Sequence, residues 1–245
     1  MPPVIAVMNC NTTASMTARI AAAAGAAVPG VEILPLQPEW GVPSAESWYD
    51  SYLSAAAVLD RLSRPIEPFD ALVMAGFGEH GREGARELLA VPVVDITEAG
   101  AMQAMLIGHR YGVVTTPERT CPQIEDSLRT AGLLQRCASI VGADVSVLEI
   151  AGAAGEETAE AAQAEVAALL AAGRRALAAG ADVLVLGCAG TAGFEGPLSR
   201  ELGVPVIEPV AAGVVLAHGL VTLGLRTSKA GPLAAPPVKG RIPRG

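Results

Sequence analysis

The chain has 245 residues, 51% of them apolar, with 25 acidic residues against 17 basic and a net charge of -8. That length and apolar content supply a sizeable core, either for one large domain or for two small similar lobes. The Lys and Arg residues are scattered, which excludes nucleic acid and anionic membrane as partners, since both need clustered positive charge, and leaves a small molecule as the ligand class.

In chain order, Val4 to Met8 is a short apolar run, followed at once by Asn9-Cys10-Asn11-Thr12-Thr13 and a helix-like stretch from Ala14 to about Ala27. The pattern is strand, polar turn and helix start, with Asn and Thr available as caps. A turn at the carboxyl end of a strand faces the crevice in which open α/β sheets bind ligands. Val31 to Leu36 predicts a second strand, and Pro35, Pro38 and Pro43 break the chain before a helix over Ala45 to Leu62. Trp40 to Tyr52 holds both tryptophans and two of the three tyrosines, as a structural patch or as a lid. Ala71 to Ala75 predicts a strand, Gly81 to Leu89 a helix, Val91 to Val94 a strand and Ala99 to Ile107 a helix. Tyr111 to Thr116 is a strand ending in hydroxyl residues, and Pro117 suits the first turn of the helix that follows. Ala138 to Val141 is a weaker strand and Glu156 to Ala179 a long Ala/Glu helix. Strand Val183 to Gly187, helix Pro197 to Leu202, strand Val204 to Ile207 and helix Val210 to Leu223 complete the alternation. Such alternation predicts an α/β fold with mostly parallel sheets.

Two stretches echo each other. Asp70-Ala-Leu-Val-Met-Ala-Gly76-Phe-Gly78 matches Asp182-Val-Leu-Val-Leu-Gly-Cys188-Ala-Gly190, and Val91-Pro92-Val93-Val94-Asp95 answers Val204-Pro205-Val206-Ile207-Glu208. The repeat predicts two pseudosymmetric lobes with the ligand cleft between them. Residues 1–100 with about 209–228 form the first lobe, 101–208 the second, and 229–245 a peripheral or partly disordered tail. The start of the chain lacks the pattern of a secretory signal, no apolar run is long enough to span a bilayer without interruption, and the four cysteines lack CxxC spacing, so reduced thiols in the cytoplasm are expected. Three histidines without a Cys/His cluster predict no protein-bound metal, and the surplus of apolar helices points to a homo-oligomer.

A cysteine at a strand-to-helix turn has backbone N–H groups nearby that lower its pKa, which makes Cys188 a candidate base or nucleophile, the alternative being an inert buried thiol. The amides of Ala189 and Gly190 are candidates to hold a developing oxyanion or enolate. Asn9, Asn11, Thr12 and Thr13 either anchor a carboxylate or imide or merely cap the helix, and Thr115 and Thr116 carry the same ambiguity. His80 either reaches the cleft or is solvated on its turn. Cys10 draws attention because it sits inside the first polar turn; Cys121 and Cys137 receive no role.

The segments Asn9 to Thr13, Ala75 to Gly78, Gly108 to Thr116, Gly187 to Gly190 and Glu201 to Ile207 together resemble the hydantoin and allantoin racemase branch of the aspartate/glutamate racemase superfamily, over about Val4 to Lys229. The resemblance implies a cofactor-independent isomerase of two α/β lobes, in which one thiol from each lobe flanks a small cyclic imide or carboxylate. One takes the α-proton and the other returns a proton to the opposite face. Carried over, it makes Cys188 the second-lobe acid/base, and Asn9, Thr13, Gly76, Phe77, Gly78, Thr115, Thr116, Ala189 and Gly190 the substrate-binding set. Two departures stand out: Gly76 occupies the first-lobe cysteine position, and Cys10 replaces the proline usual in the first turn. Either the enzyme is not a two-thiol racemase, or Cys10, His80 or water does the work of the missing thiol, or the position was altered. Gly76 with a single Cys188 also resembles the site of arylmalonate decarboxylase, which implies a lyase, and a non-catalytic binding homologue is the third reading.

Overall fold

The computed structural model describes residues 2–150, 159–237 and 239. Among the described residues, eight strands form two four-stranded sheets, and every strand pairing is parallel. The first half runs β1 (Val4–Asn9), α1 (Ala14–Ala27), β2 (Glu32–Leu36), α2 (Trp48–Leu62), β3 (Ala71–Ala75), α3 (Arg82–Leu88), β4 (Val93–Asp95) and α4 (Ile96–Ile107). The second runs β5 (Tyr111–Thr115), α5 (Cys121–Thr130), β6 (Cys137–Gly142), α6 (Val147–Ile150), α7 (Ala159–Ala178), β7 (Val183–Leu186), α8 (Glu195–Leu202), β8 (Val206–Ile207) and α9 (Pro209–Thr222). The sheet orders, β2-β1-β3-β4 and β6-β5-β7-β8, are the same order twice, as the sequence echo predicts.

The echoed residues do matching jobs. Asp70 Oδ2 accepts from the amide of Val4 at 2.9 Å, and Asp182 accepts from those of His109 and Arg110 at 2.8 and 3.0 Å, so each aspartate pins the start of the neighbouring strand. Asp95 caps α4 by accepting from Thr97 and Glu98, and Glu208 caps α9 by accepting from Val210 and Ala211. Both helices then cross over. α4 packs on β7 of the second sheet, and α9 packs on β3 and β4 of the first. Gly100 and Gly213 permit this approach, because a Cβ on Gly100 would lie 2.7 Å from Val185 Cγ1 and one on Gly213 would lie 2.9 Å from Val73 Cγ1. Each sheet is covered on both faces, the first by α1 and α9 on one side and α2 and α3 on the other, which explains why its central strand β3 is wholly apolar and β1 is apolar up to Asn9.

Several boundaries differ from the sequence expectation for local reasons. α2 starts at Trp48 rather than Ala45 because Ser47 caps it, accepting from Asp50. α4 starts at Ile96 rather than Ala99 because Asp95 is the cap. Pro117 is extended and precedes a short 3-10 turn; Pro122 takes the first-turn place in α5. Of the long helix expected from Glu156, residues 156–158 lie outside the described residues. In the tail, Thr227 bonds to Ala90 and Val91, and Lys229 Nζ donates to the carbonyls of Arg86 and Glu87, while residues 238 and 240–245 lie outside the described residues.

Candidate active site

The carboxyl ends of four strands, two from each sheet, meet at one cavity. Asn9 and Cys10 follow from β1, Gly76 and Phe77 from β3, Thr115 and Thr116 from β5, and Gly187 to Ala189 from β7, with His80 closing one side. Its volume is about 40 Å³, room for a few waters and far below the roughly 300 Å³ at which ligand pockets begin. The cleft is therefore narrow in this structure. Larger grooves lie elsewhere, such as one of about 390 Å³ along α4 and α9, but that one is lined by apolar side chains with Arg86 and Glu98 and holds no thiol or imidazole.

Hydrogen bonds fasten the two lobes around the cavity. Glu46 Oε1 accepts from the amide of Val147 at 3.2 Å, Gln123 Nε2 donates to Ser51 Oγ at 2.5 Å, and Arg19 Nη1 donates to the carbonyls of Ile150 at 3.0 Å and Gly190 at 3.3 Å. The segment Trp40 to Tyr52 touches the cavity only through Ala45. Its aromatics face away: Trp40 donates to Asp60, and the exposed Trp48 and Tyr52 rings stack at 6.2 Å.

Cys188 is buried, in extended backbone at the head of the 3-10 turn Ala189–Thr191. The amide of Gly190 points at its Sγ at 3.4 Å. Burial nevertheless holds its pKa above the ordinary thiol value, outweighing the Gly190 amide and the Thr116 hydroxyl, which pull it down. This corrects the expectation of a lowered pKa. The turn opens a single 3-10 turn rather than an α-helix, and α8 begins only at Glu195, so little helix dipole reaches the sulfur.

Cys10 sits between two interlocked asparagines. Asn9 Nδ2 donates to Asn11 Oδ1 and Thr17 Oγ1, each at 3.0 Å, while Asn9 Oδ1 accepts from the Asn11 amide and Asn11 Oδ1 from the Thr13 amide. These bonds occupy the Asn9 side chain and Asn11 Oδ1 and fix the turn that carries the thiol. Burial, then the nearness of Cys188, pushes the Cys10 thiol up to about 12. His80 is buried rather than solvated; loss of water lowers its pKa and keeps the imidazole neutral, and its Nδ1 has no hydrogen-bond partner.

Of the residues expected at the site, Cys188, Cys10, His80, Asn9, Gly76, Phe77, Thr115, Thr116 and Ala189 line the cavity, and Thr13, Gly78 and Gly190 do not. Thr13 Oγ1 donates to the carbonyl of Pro43 and makes no capping bond, and the Gly78 amide is taken by Thr97 Oγ1 at 2.8 Å. Met16, Thr120, Gln123 and Val147 also line the cavity, on elements whose pattern carried no sign of it. Among the described residues, no group of three or more His, Cys, Asp or Glu side chains could hold a metal ion.

Residues 5–217 match the profile described as Asp/Glu/Hydantoin racemase. The chain belongs to that family. The hydantoin racemase of Pseudomonas sp. (strain NS671) is 37% identical over 228 residues, 92% of this chain and 88% of that protein. The crystal structure of allantoin racemase from Pseudomonas fluorescens superposes with a TM-score of 0.91 at 48% identity, covering 98% of this chain and all of that one. Arylmalonate decarboxylase, at 18% identity and a TM-score of 0.59 over 89% of this chain and 92% of that one, shares the fold alone. With whole-length racemase relatives at these identities, this member of the Asp/Glu/hydantoin racemase family is an isomerase acting on a small molecule.

Proposed function

We propose that this racemase inverts the carbon next to a carbonyl in a five-membered cyclic ureide of the hydantoin or allantoin kind, without a cofactor, using Cys188 as an acid/base. The observation that carries this reading is the buried Cys188 thiol at the end of β7, in a cavity where strands of both sheets end. The α-hydrogen of such a ring is acidic because the electron pair it leaves becomes an enolate. Thr116 and the turn residues Phe77 and Ala189, which line the cavity, are the candidate donors to that oxygen, the Thr115 hydroxyl being taken by the Gly187 carbonyl. The test is proton NMR and polarimetry of single enantiomers of 5-substituted hydantoins and allantoin in D2O. Optical rotation should decay as deuterium enters, and Cys188→Ser should slow inversion by about 10²- to 10⁴-fold. A silent panel refutes the reading, and loss of CO2 from substituted malonates would make the protein a lyase instead.

The same proposal has the enzyme working as a reduced, cytoplasmic homo-oligomer. Its four cysteines are free, and Met102, Leu106, Ile107, Val215 and Leu223 on and beside α4 and α9 expose large apolar side chains suited to a second copy.

A further inference from the structure

We propose that Cys10 is the second acid/base of this cavity, serving the substrate face opposite Cys188 from the β1 turn, in the space that Gly76 leaves empty. The inference rests on the reading above, that the chain inverts a carbon acid by thiol proton transfer. Inversion takes a proton from one face and returns one to the other, so a ring held fixed between the lobes needs a group on each side.

The cavity has two thiols, and they arrive from different sheets. Cys188 follows β7 of the second, and Cys10 follows β1 of the first. β1 and β3 are neighbouring parallel strands with Asn9 level with Ala75, so Cys10 and Gly76 are side by side one residue further on. A Cβ on Gly76 would lie 2.7 Å from Cys10 Cβ and 2.9 Å from Cys10 Sγ. The Cys10 thiol therefore fills the place that a side chain at 76 would take, and the first-lobe thiol has been moved one strand across the sheet. The same Cβ would lie 2.5 Å from Cδ2 of His80, so the imidazole, with Nδ1 unpartnered, borders the spot from the other side. The Asn9–Asn11 interlock holds the turn rigid.

The protons balance without a redox step. With Cys188 as thiolate and Cys10 as thiol, the α C–H bond breaks, its proton goes to Cys188 Sγ and its electron pair into the enolate. A new C–H bond forms on the other face with the proton of Cys10, leaving Cys10 as thiolate. The enzyme now holds the protonation state that accepts the mirror-image substrate.

The experiment follows inversion and α-hydrogen exchange in D2O separately for each enantiomer of a 5-substituted hydantoin. In Cys10→Ala, inversion should fall by about 100-fold or more, while exchange persists for one enantiomer, which Cys188 alone deprotonates and re-deuterates on the same face. Cys10→Ser, which keeps the shape of the turn, should behave likewise, and Cys188→Ser should retain exchange only of the other enantiomer. A merely structural role would depress both exchanges equally; that result in a folded variant, or inversion at the wild-type rate, overturns the inference and leaves the function standing. A wild-type protein that exchanges neither enantiomer overturns the function itself and this inference with it.

Discussion

Replacing Gly76 with alanine puts the packing of the first-lobe thiol to a quantitative test. The glycine is not in the left-handed region, so the backbone accepts any residue and the demand for glycine is steric. The added Cβ would meet His80 Cδ2 at 2.5 Å, Cys10 Cβ at 2.7 Å and Cys10 Sγ at 2.9 Å, against an optimal carbon separation of about 3.5–4.0 Å. Overpacking of this kind costs about 1–3 kcal/mol. The loss of chain freedom in the unfolded state works the other way, by about 0.4–1 kcal/mol. The clash wins, for a net loss of about 1–2 kcal/mol. At roughly 2–4 °C per kcal/mol for a chain of this size, Tm should drop by about 2–8 °C, and inversion should slow because Cys10 is displaced. Calorimetry and polarimetry measure the two effects. In a Cys10→Gly background two of the three short contacts are gone, so the stability cost of Gly76→Ala should shrink by about 0.5 kcal/mol or more in a double-mutant cycle. A Gly76→Ala protein that melts at or above the wild-type temperature and turns over normally refutes the reasoning.

Thr97 is fully buried, accepts from the Gly78 amide at 2.8 Å and donates back to its carbonyl at 3.3 Å. Thr97→Val leaves that amide unpaired and should cost about 1–3 kcal/mol in urea unfolding; an unchanged midpoint would show that the loop repairs itself. The pH profile gives another test. Both cavity thiols have raised pKa values, that of Cys10 about 12, so the reactive thiolate is scarce at neutral pH. Inversion and iodoacetamide labelling of the unliganded enzyme should both climb, roughly tenfold per unit where a single thiol limits, from neutral pH to above about pH 9. A plateau already reached below pH 7 would mean that some group in the cavity stabilises the thiolate strongly.

The two-lobe fold was legible because its punctuation is written twice. Asp70 and Asp182 pin strands, Asp95 and Glu208 cap helices, and each pair falls at the same place in the apolar pattern. Cys188 was legible for a related reason, since an apolar strand that ends in Gly-Cys-Ala-Gly presents its cysteine at the sheet's carboxyl edge. Contacts that depend on strand register were not. That Cys10 lies against Gly76 follows from the pairing of Asn9 with Ala75, across 66 residues of chain. His80 is buried at the cavity wall, on the turn between β3 and α3, and Gln123 reaches the cavity from the far lobe. The sign of the Cys188 shift required knowing both its burial and that the following turn is 3-10.

The exchange of α4 and α9 between the sheets has a mechanical consequence. A chain cut between α4 and β5 would leave each half holding the helix that covers the other's sheet, so neither half is a separate folding unit and the lobes cannot simply part. The helices instead act as an axle: they pack on each other and across both sheets. Glu46–Val147, Gln123–Ser51 and Arg19–Ile150 serve as latches around the cavity. On the proposed function, a ring would enter this space of about 40 Å³ only if those latches released and the strand ends parted. On the proposed mechanism, closing them would bring Cys10 and Cys188 back against the guest.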